Sequence, residues 1–261
     1  MAAGFIVFGV FISLCFSENA LPPMLQGVRF DQKLNNQIPL DATFRDESGK
    51  EVRLKDLLDG KPAILSLVYY ECPMLCTYVL NGVLGSLRAI SFDAGKEFNA
   101  ITISFDEREK PQLAALKKQK YLKEYGRKGA EGGWYFLTGE SDSIQQVSRA
   151  IGFEFKYDET RDEFAHASGI VVLTPEGRIA RYFYGVEYPA RDLRLALVEA
   201  SQNKIGSTVD QLLLFCFHYD PSTGKYSPYV LNLVRAGGII TVVMIGAFVL
   251  VMRRREKKDS N

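Results

Sequence analysis

Two predominantly apolar stretches of strand length constrain the fold of this 261-residue chain more than any other feature of its sequence. They occupy residues 62–69 and 100–105, and an amphipathic segment of helical spacing, residues 74–90, lies between them. A strand that shows no polar alternation is buried on both faces, which is typical of a central strand covered by helices. The order strand, helix, strand therefore predicts the alternation that gives an α/β fold with a partly parallel sheet.

Shorter patterns extend this unit on both sides. Ser48-Gly49 predicts the turn of a β-hairpin within residues 42–53, and Pro175-Glu176-Gly177 predicts a turn between two further strands. The remaining predicted elements are a strand over residues 134–137 and helices over residues 54–58, 111–125, 141–151 and 189–201. The chain is therefore predicted to form an α/β fold with a partly parallel sheet and an added N-terminal hairpin.

The ends of the chain predict export and membrane anchoring. Residues 1–17 are predicted to be a signal peptide, because their apolar part has the length of a signal h-region. The uncharged residues 236–252 are predicted to form a transmembrane helix, and the basic residues 253–261 predict a cytoplasmic tail. We therefore expect a single-pass protein of the inner membrane, with its body on the periplasmic side and its C-terminus in the cytoplasm.

Between these ends the chain divides into three predicted parts. They are an extended leader over residues 18–37, a main domain over residues 38–205 and an extension over residues 206–235. The formal net charge of the whole chain is +1 at pH 7, and the basic tail supplies more positive charge than that, so the body is close to neutral. Nucleic acid requires a basic surface, so this charge balance excludes it as an expected partner.

Cys72 and Cys76 form the densest cysteine cluster of the chain. Pro73 suits the first turn of a helix, which would place Cys72 at or beside the N-cap and Cys76 one turn further on. Both sulfurs are then expected to point to one spot, and the helix N-terminus is expected to lower the pKa of Cys72. The pair could be a structural disulfide, a redox dithiol or a metal clamp. A disulfide across so short a loop would stabilise the chain little.

Two histidines, His166 and His218, are candidates for a third ligand. Thiolate sulfur favours Cu(I), and an imidazole nitrogen lets a site accept Cu(II) as well. Cys216 and His218 alternate along a predicted strand, so they could face one side and form a second copper site. The interpretation favoured for that stretch is an apolar strand packed on the main domain or near the bilayer.

Three segments together resemble the Sco/SenC family, the thioredoxin-fold copper proteins of cytochrome oxidase assembly. They are the apolar strand that leads into CPMLC, the segment ITISFDERE, and the single histidine ahead of GIVVLTPEGRIARYFYG. The resemblance implies a thioredoxin-like fold and copper, as Cu(I) and Cu(II), held by Cys72, Cys76 and His166. It also implies that Asp106 supports these ligands or contacts a partner.

The chain departs from the pattern of this family at several places. Many members have Asp where this chain has Met74 and Pro where it has Thr77, and their anchor is usually N-terminal. The proline that precedes the corresponding strand in thioredoxins is also missing, since residues 166–169 read His-Ala-Ser-Gly. General dithiol exchange is therefore less expected than metal binding.

Two functions of different classes follow. The favoured hypothesis is a membrane-anchored copper chaperone that delivers copper to the binuclear site in the copper-accepting subunit of cytochrome c oxidase. The alternative is an exported thiol-disulfide oxidoreductase in which Cys72 attacks and Cys76 resolves, with a thioredoxin-like reductant as a further partner. A peroxide-reducing enzyme on the same fold is less favoured, because no Thr and Arg groups can be assigned to polarise a peroxide.

Overall fold

The structure, a computed structural model, describes residues 27–206, 219–220, 225–226 and 228–259 of the chain. The predicted signal peptide and the pair Cys216 and His218 lie outside the described residues. The strands are β1 (Arg29–Phe30), β2 (Thr43–Arg45), β3 (Glu51–Arg53), β4 (Ala63–Val68), β5 (Asn99–Ser104), β6 (Trp134–Leu137), β7 (Phe153–Asp158), β8 (Glu163–His166), β9 (Gly169–Leu173), β10 (Ile179–Tyr184), β11 (Tyr219–Asp220) and β12 (Lys225–Tyr226). The α-helices are α1 (Leu54–Leu58), α2 (Leu75–Ala89), α3 (Pro111–Tyr125), α4 (Ser141–Ile151), α5 (Ala190–Ser201) and α6 (Pro228–Asp259).

The central sheet has the strand order β10-β9-β4-β5-β6. β4 and β5 pair in parallel, with Ala63 opposite Asn99 and Val68 opposite Ser104, and β6 lies parallel to β5. β9 runs antiparallel on the other side of β4, and β10 runs antiparallel to β9. Every residue of β4 and β5 is buried, because helices and neighbouring strands cover them. The two buried strands and the partly parallel sheet that the sequence predicted are confirmed.

The crossover helix α2 ties the sheet to its surrounding helices. It packs against β4 and also contacts α3 and α5, while α3 lies on β6 and α5 lies on β9 and β10. Aromatic side chains fill the contact between α3 and β6, where the ring of Tyr121 stacks on Phe136 with centroids 6.0 Å apart. Trp134 is fully buried beside them. This packing holds the N-terminal end of α2 at the carboxyl edge of β4.

Two β-hairpins lie outside the central sheet. β2 pairs with β3 as the sequence predicted. β7 and β8 form a second hairpin, edged by β1, which the sequence analysis did not predict. Apolar and polar residues alternate along FEFKYD, and acidic and polar turn residues follow it, so a strand signal is present there. β8 ends at His166, so this hairpin delivers the candidate histidine to the central sheet.

The C-terminal helix α6 corrects the prediction of a transmembrane helix over residues 236–252. In the part of the chain that the structure describes, no helix is both long and apolar enough to cross a membrane. The uncharged stretch of α6 has only 17 residues between Arg235 and Arg253, whereas a spanning helix needs about 20 consecutive apolar residues. The predicted transmembrane helix is therefore wrong, while the predicted thioredoxin-like α/β fold agrees with the sheet and helices described above.

Candidate metal centre

The loop between β4 and α2 carries both cysteines at the carboxyl edge of the sheet, where α/β folds commonly place their sites. Met74 is the N-cap of α2, and the helix begins at Leu75. Cys72 therefore lies two residues before the N-cap, because Pro73 stays outside the helix, and Cys76 lies in the first turn. The expected position of Cys72 at or beside the N-cap is corrected by this shift. Both cysteines are buried and free of disulfide bonds.

Cys72, Cys76 and His166 converge at this edge. One ligand atom from each residue lies within 4.8 Å of the other two, so the group could hold a metal ion. Sγ of Cys76 is 3.3 Å from Nε2 of His166. The backbone N–H of Cys76 donates a hydrogen bond to Sγ of Cys72 over 3.3 Å. The convergence of the two sulfurs predicted from their spacing is present in the structure.

Hydrogen bonding orients the imidazole of His166. Its Nδ1 lies 2.7 Å from the carbonyl oxygen of Ala167, and a carbonyl oxygen can only accept, so we assign the proton to Nδ1. Nε2 then faces the sulfurs and is the ring nitrogen that would bind a metal. Phe105 and Tyr69 pack against the ring, with centroids 5.2 and 5.9 Å from it. Metal-binding histidines typically donate their second N–H to a carbonyl in this way.

The two thiols differ in their acidity. The hydrogen bond from the Cys76 thiol lowers the pKa of Cys72 well below its ordinary value, and His166 and backbone N–H groups lower it further. Burial raises the pKa of Cys76 far above its ordinary value, and the Cys72 sulfur acts in the same direction. The pair therefore shares one proton at neutral pH, with the thiolate on Cys72. The lowered pKa expected for Cys72 is confirmed, but Cys76 is its largest cause.

Asp106 lies in the turn after β5, and its carboxylate is buried. It accepts hydrogen bonds from Nε and Nη2 of Arg108 over 2.9 and 2.8 Å. Nη1 of Arg108 donates in turn to Asp162 over 2.8 Å and to the hydroxyl of Tyr157 over 3.2 Å. Asp106 is thus linked through Arg108 to the hairpin that carries His166. Its proposed role beside the ligands stays a prediction.

Glu109 is a buried residue of the same turn that the sequence analysis did not single out. Its carboxylate accepts hydrogen bonds from the backbone N–H groups of Tyr70 and Glu71, each over 2.8 Å, and from the hydroxyl of Ser104. Burial raises its pKa above the ordinary value. The only sequence signal was its place in SFDERE, directly after a strand that ends at the site.

Two surface features border the centre. Met74 and Tyr78 are 60% and 52% exposed, although both lie next to the buried cysteines. A cleft of about 280 Å³ opens beside the β7–β8 hairpin, and its lining includes Phe105, Arg108 and Phe164. The cysteines are buried, and the surface around them presents both apolar and charged side chains.

A thioredoxin-like α/β protein with two thiols and an imidazole at the carboxyl edge of its sheet is the class that this fold and site define. The SCO1/SenC family profile matches residues 31–200, and the chain belongs to this family. The SCO1 protein homolog of Bacillus subtilis strain 168 is 26% identical over 167 residues, which cover 62% of this chain and 80% of that protein.

Solved structures of other proteins are similar to this chain to different extents. A crystal structure of a protein from Aquifex aeolicus VF5 has 30% sequence identity and a TM-score of 0.58, and the match covers 66% of this chain and 96% of that one. The structure of Bradyrhizobium japonicum ScoI with copper bound has 26% identity and a TM-score of 0.47, and the match covers 61% of this chain and 95% of that one.

Proposed function

We propose that this protein binds copper through Cys72, Cys76 and His166 and delivers it to a copper-accepting protein. The observation that carries this proposal is the convergence of two sulfurs and one imidazole nitrogen within 4.8 Å. Thiolate and imidazole ligands suit copper, whereas carboxylate oxygens would suit magnesium or calcium. Copper is the cargo of this protein, so binding must be tight enough to carry the ion and still allow its release.

The protonation of the pair suits reversible binding. Cys72 offers a thiolate at once, and Cys76 loses its proton as the metal binds, because thiolate rather than thiol is the ligand. Copper loading therefore releases about one proton near neutral pH. The exposed Met74 and Tyr78 give an acceptor protein an apolar surface beside the ligands, at which its own ligands could replace those of this chain.

The acceptor that we propose is the binuclear copper site of a terminal cytochrome c oxidase, as the resemblance to the family implied. We infer that the main domain works on the extracytoplasmic side, where such a site would be loaded. A thioredoxin-like reductant would keep Cys72 and Cys76 reduced in that oxidising compartment.

A thiol-disulfide oxidoreductase is the second candidate function, favoured by the unequal thiols. The Cys72 thiolate would attack a substrate disulfide, form a mixed disulfide and release the first substrate thiol. The Cys76 sulfur would then attack Cys72, releasing the second substrate thiol and leaving a Cys72–Cys76 disulfide. Two electrons pass to the substrate, and the reductant must resupply them.

A transfer assay separates the two functions. The copper-loaded protein is mixed with a reduced copper-accepting domain that has a binuclear site. The two proteins are then separated, and the copper content of each is measured by atomic absorption. Delivery predicts rapid transfer that is lost in His166→Ala. A protein that transfers no copper but reduces a test disulfide equally well with or without His166 would instead be an oxidoreductase.

A further inference from the structure

The carboxylate of Glu109 lies beneath the cysteine loop and is 5% exposed. Oε1 accepts the N–H of Glu71, and Oε2 accepts the N–H of Tyr70 and the hydroxyl of Ser104. Burying a carboxylate costs free energy unless hydrogen bonds compensate it. Both oxygens of Glu109 accept hydrogen bonds, so this buried carboxylate can act on the groups that donate to it.

The bound N–H groups belong to the loop that positions Cys72. β4 pairs with β5 only as far as Val68, so the following backbone leaves the ladder of the sheet. Buried backbone N–H groups need an acceptor, and Glu109 supplies one for Tyr70 and for Glu71. Because Cys72 also precedes the N-cap of α2, the helix does not fix its backbone.

We propose that Glu109 is a positioning residue of the metal centre, which holds the loop at Tyr70 and Glu71 so that the Cys72 sulfur faces Cys76 and His166. The carboxylate supplies hydrogen-bond acceptors beyond the last strand pair of the sheet and positions the ligand Cys72 through the backbone of the loop. This inference rests on the proposed copper site. Glu109 would be a further residue of that site, although its carboxylate bonds to Tyr70, Glu71 and Ser104 rather than to the ligand atoms.

The test uses the full-length reduced chain with Glu109→Gln and Glu109→Ala. Amide hydrogen exchange of Tyr70 and Glu71 is measured without metal, and Cu(I) affinity is measured against a competing chelator. Groups that orient metal ligands change affinity by about 10–100-fold when they are removed. We expect a loss in this range for Glu109→Ala and faster exchange at both amides. Glu109→Gln keeps one acceptor oxygen, so its loss should be smaller.

The comparison of Glu109→Gln with Glu109→Ala separates the effect of losing the hydrogen bonds to the loop from the effect of losing the negative charge. Both variants remove one negative charge, so a purely electrostatic effect predicts equal changes in copper affinity, and that result would overturn the proposal. If Glu109→Ala does not fold, Glu109→Gln decides alone. Faster exchange with weaker binding then supports the proposal, and unchanged exchange or unchanged binding overturns it.

Asn99→Ala is the matched control. The Asn99 side chain is also buried and also binds two backbone groups, the carbonyls of Leu57 and Leu58, but it lies at the opposite end of β5. Its copper affinity should stay within about twofold of wild type, since distant sites act independently. Equal losses in Asn99→Ala and Glu109→Ala would mean general destabilisation and would overturn the proposal. If the wild-type chain binds no copper, the proposed function fails together with this inference.

Discussion

Cys72 and Cys76 are chemically unequal although they lie in one short loop. Cys76 is deeply buried, so its thiol keeps the proton and donates a hydrogen bond to the Cys72 sulfur. Cys72 therefore carries the negative charge of the pair. His166 adds to the stabilisation of that charge, which ties the third ligand to the acidity of the first. Because the proton stays on Cys76, the Cys72 sulfur is the reactive one of the pair.

The first prediction concerns the pH dependence of alkylation at Cys72. An ordinary thiol has a pKa of about 8.5 and loses about tenfold in reaction rate for each pH unit below it. The lowered pKa keeps Cys72 in the thiolate form as pH falls, so its iodoacetamide rate should stay nearly constant until pH reaches the depressed value. Mass spectrometry of peptides after timed quenching gives the rate.

The Cys76→Ala variant tests the cause of this behaviour. Removing the Cys76 thiol removes the largest stabilisation of the thiolate, so the midpoint of the rate profile should move to higher pH. His166→Ala should move it in the same direction by less. A midpoint that stays in place in Cys76→Ala would show that another group sets the pKa of Cys72.

The β7–β8 hairpin is the element that brings His166 to the cysteines. Arg108 connects this hairpin to the turn after β5, because it binds Asp106 on one side and Asp162 and Tyr157 on the other. Its guanidinium also lies 4.9 Å from the ring centroid of Tyr157. A single exposed ion pair stabilises little, but a bidentate pair to a buried carboxylate with added ring contacts stabilises more. The position of His166 therefore depends on Arg108.

The second prediction is that Arg108→Ala weakens Cu(I) binding by less than about tenfold. Arg108 contacts the hairpin that carries His166 and does not contact His166 through a hydrogen bond. The effect should pass through His166. Arg108→Ala should consequently change nothing further in a His166→Ala background, which a double-mutant cycle of chelator-competition affinities measures. Additive losses in the two variants would contradict a role for Arg108 through the histidine.

Arg127→Ala is the matched control for this prediction. Arg127 also pairs with an aspartate, Asp93, and also lies over a tyrosine ring, that of Tyr125 at 5.3 Å. It donates to the carbonyls of Arg88 and Ile90 at the C-terminal end of α2, the other end of that helix from Cys76. Its loss should lower stability and leave copper affinity unchanged.

The third prediction concerns the packing of α2. A Cβ added at Gly82 would lie 2.0 Å from the backbone oxygen of Val186, so α2 or the loop after β10 must move. We expect Gly82→Ala to lower the free energy of unfolding by about 1–3 kcal/mol, as overpacking does. Equilibrium urea unfolding measures this change, provided that the variant and the wild type have the same dependence of unfolding free energy on urea concentration.

Gly85→Ala, one turn later on the same helix, should have the opposite effect. An added Cβ there meets no atom within 4 Å. Alanine favours the helix over glycine by about 1 kcal/mol, so this variant should be more stable than wild type. Destabilisation of both variants to the same extent would show that the contact with Val186 is not the cause of the loss in Gly82→Ala.

For the whole molecule, the sequence predicted the elements whose pattern is strong and local. The buried strands β4 and β5, the crossover helix α2 and the β2–β3 hairpin were predicted because apolar runs, helical spacing and turn residues lie within a few positions of one another. The grouping of Cys72 with Cys76 followed from their spacing. His166 was assigned only by resemblance to a family, because its distance in sequence gives no physical reason for contact.

Features that depend on contacts between distant segments could not be predicted. Glu109 reads as an ordinary surface acid in SFDERE, and only the folded chain brings it under the N–H groups of Tyr70 and Glu71. The β7–β8 hairpin was missed because its alternation is short and only partly buried. The transmembrane prediction over residues 236–252 was wrong, since a stretch at the short end of the permitted length was given too much weight.

A competition titration with Cu(I) tests most directly whether Cys72, Cys76 and His166 form one copper site. It uses the full-length reduced chain with Cys15→Ser and Cys216→Ser, so that the pair supplies the only thiols. We predict one tightly bound copper per chain, weakened more than about tenfold in His166→Ala and abolished in Cys72→Ser and in Cys76→Ser. Copper binding that is absent, or that survives the loss of either cysteine, would contradict the copper centre described here.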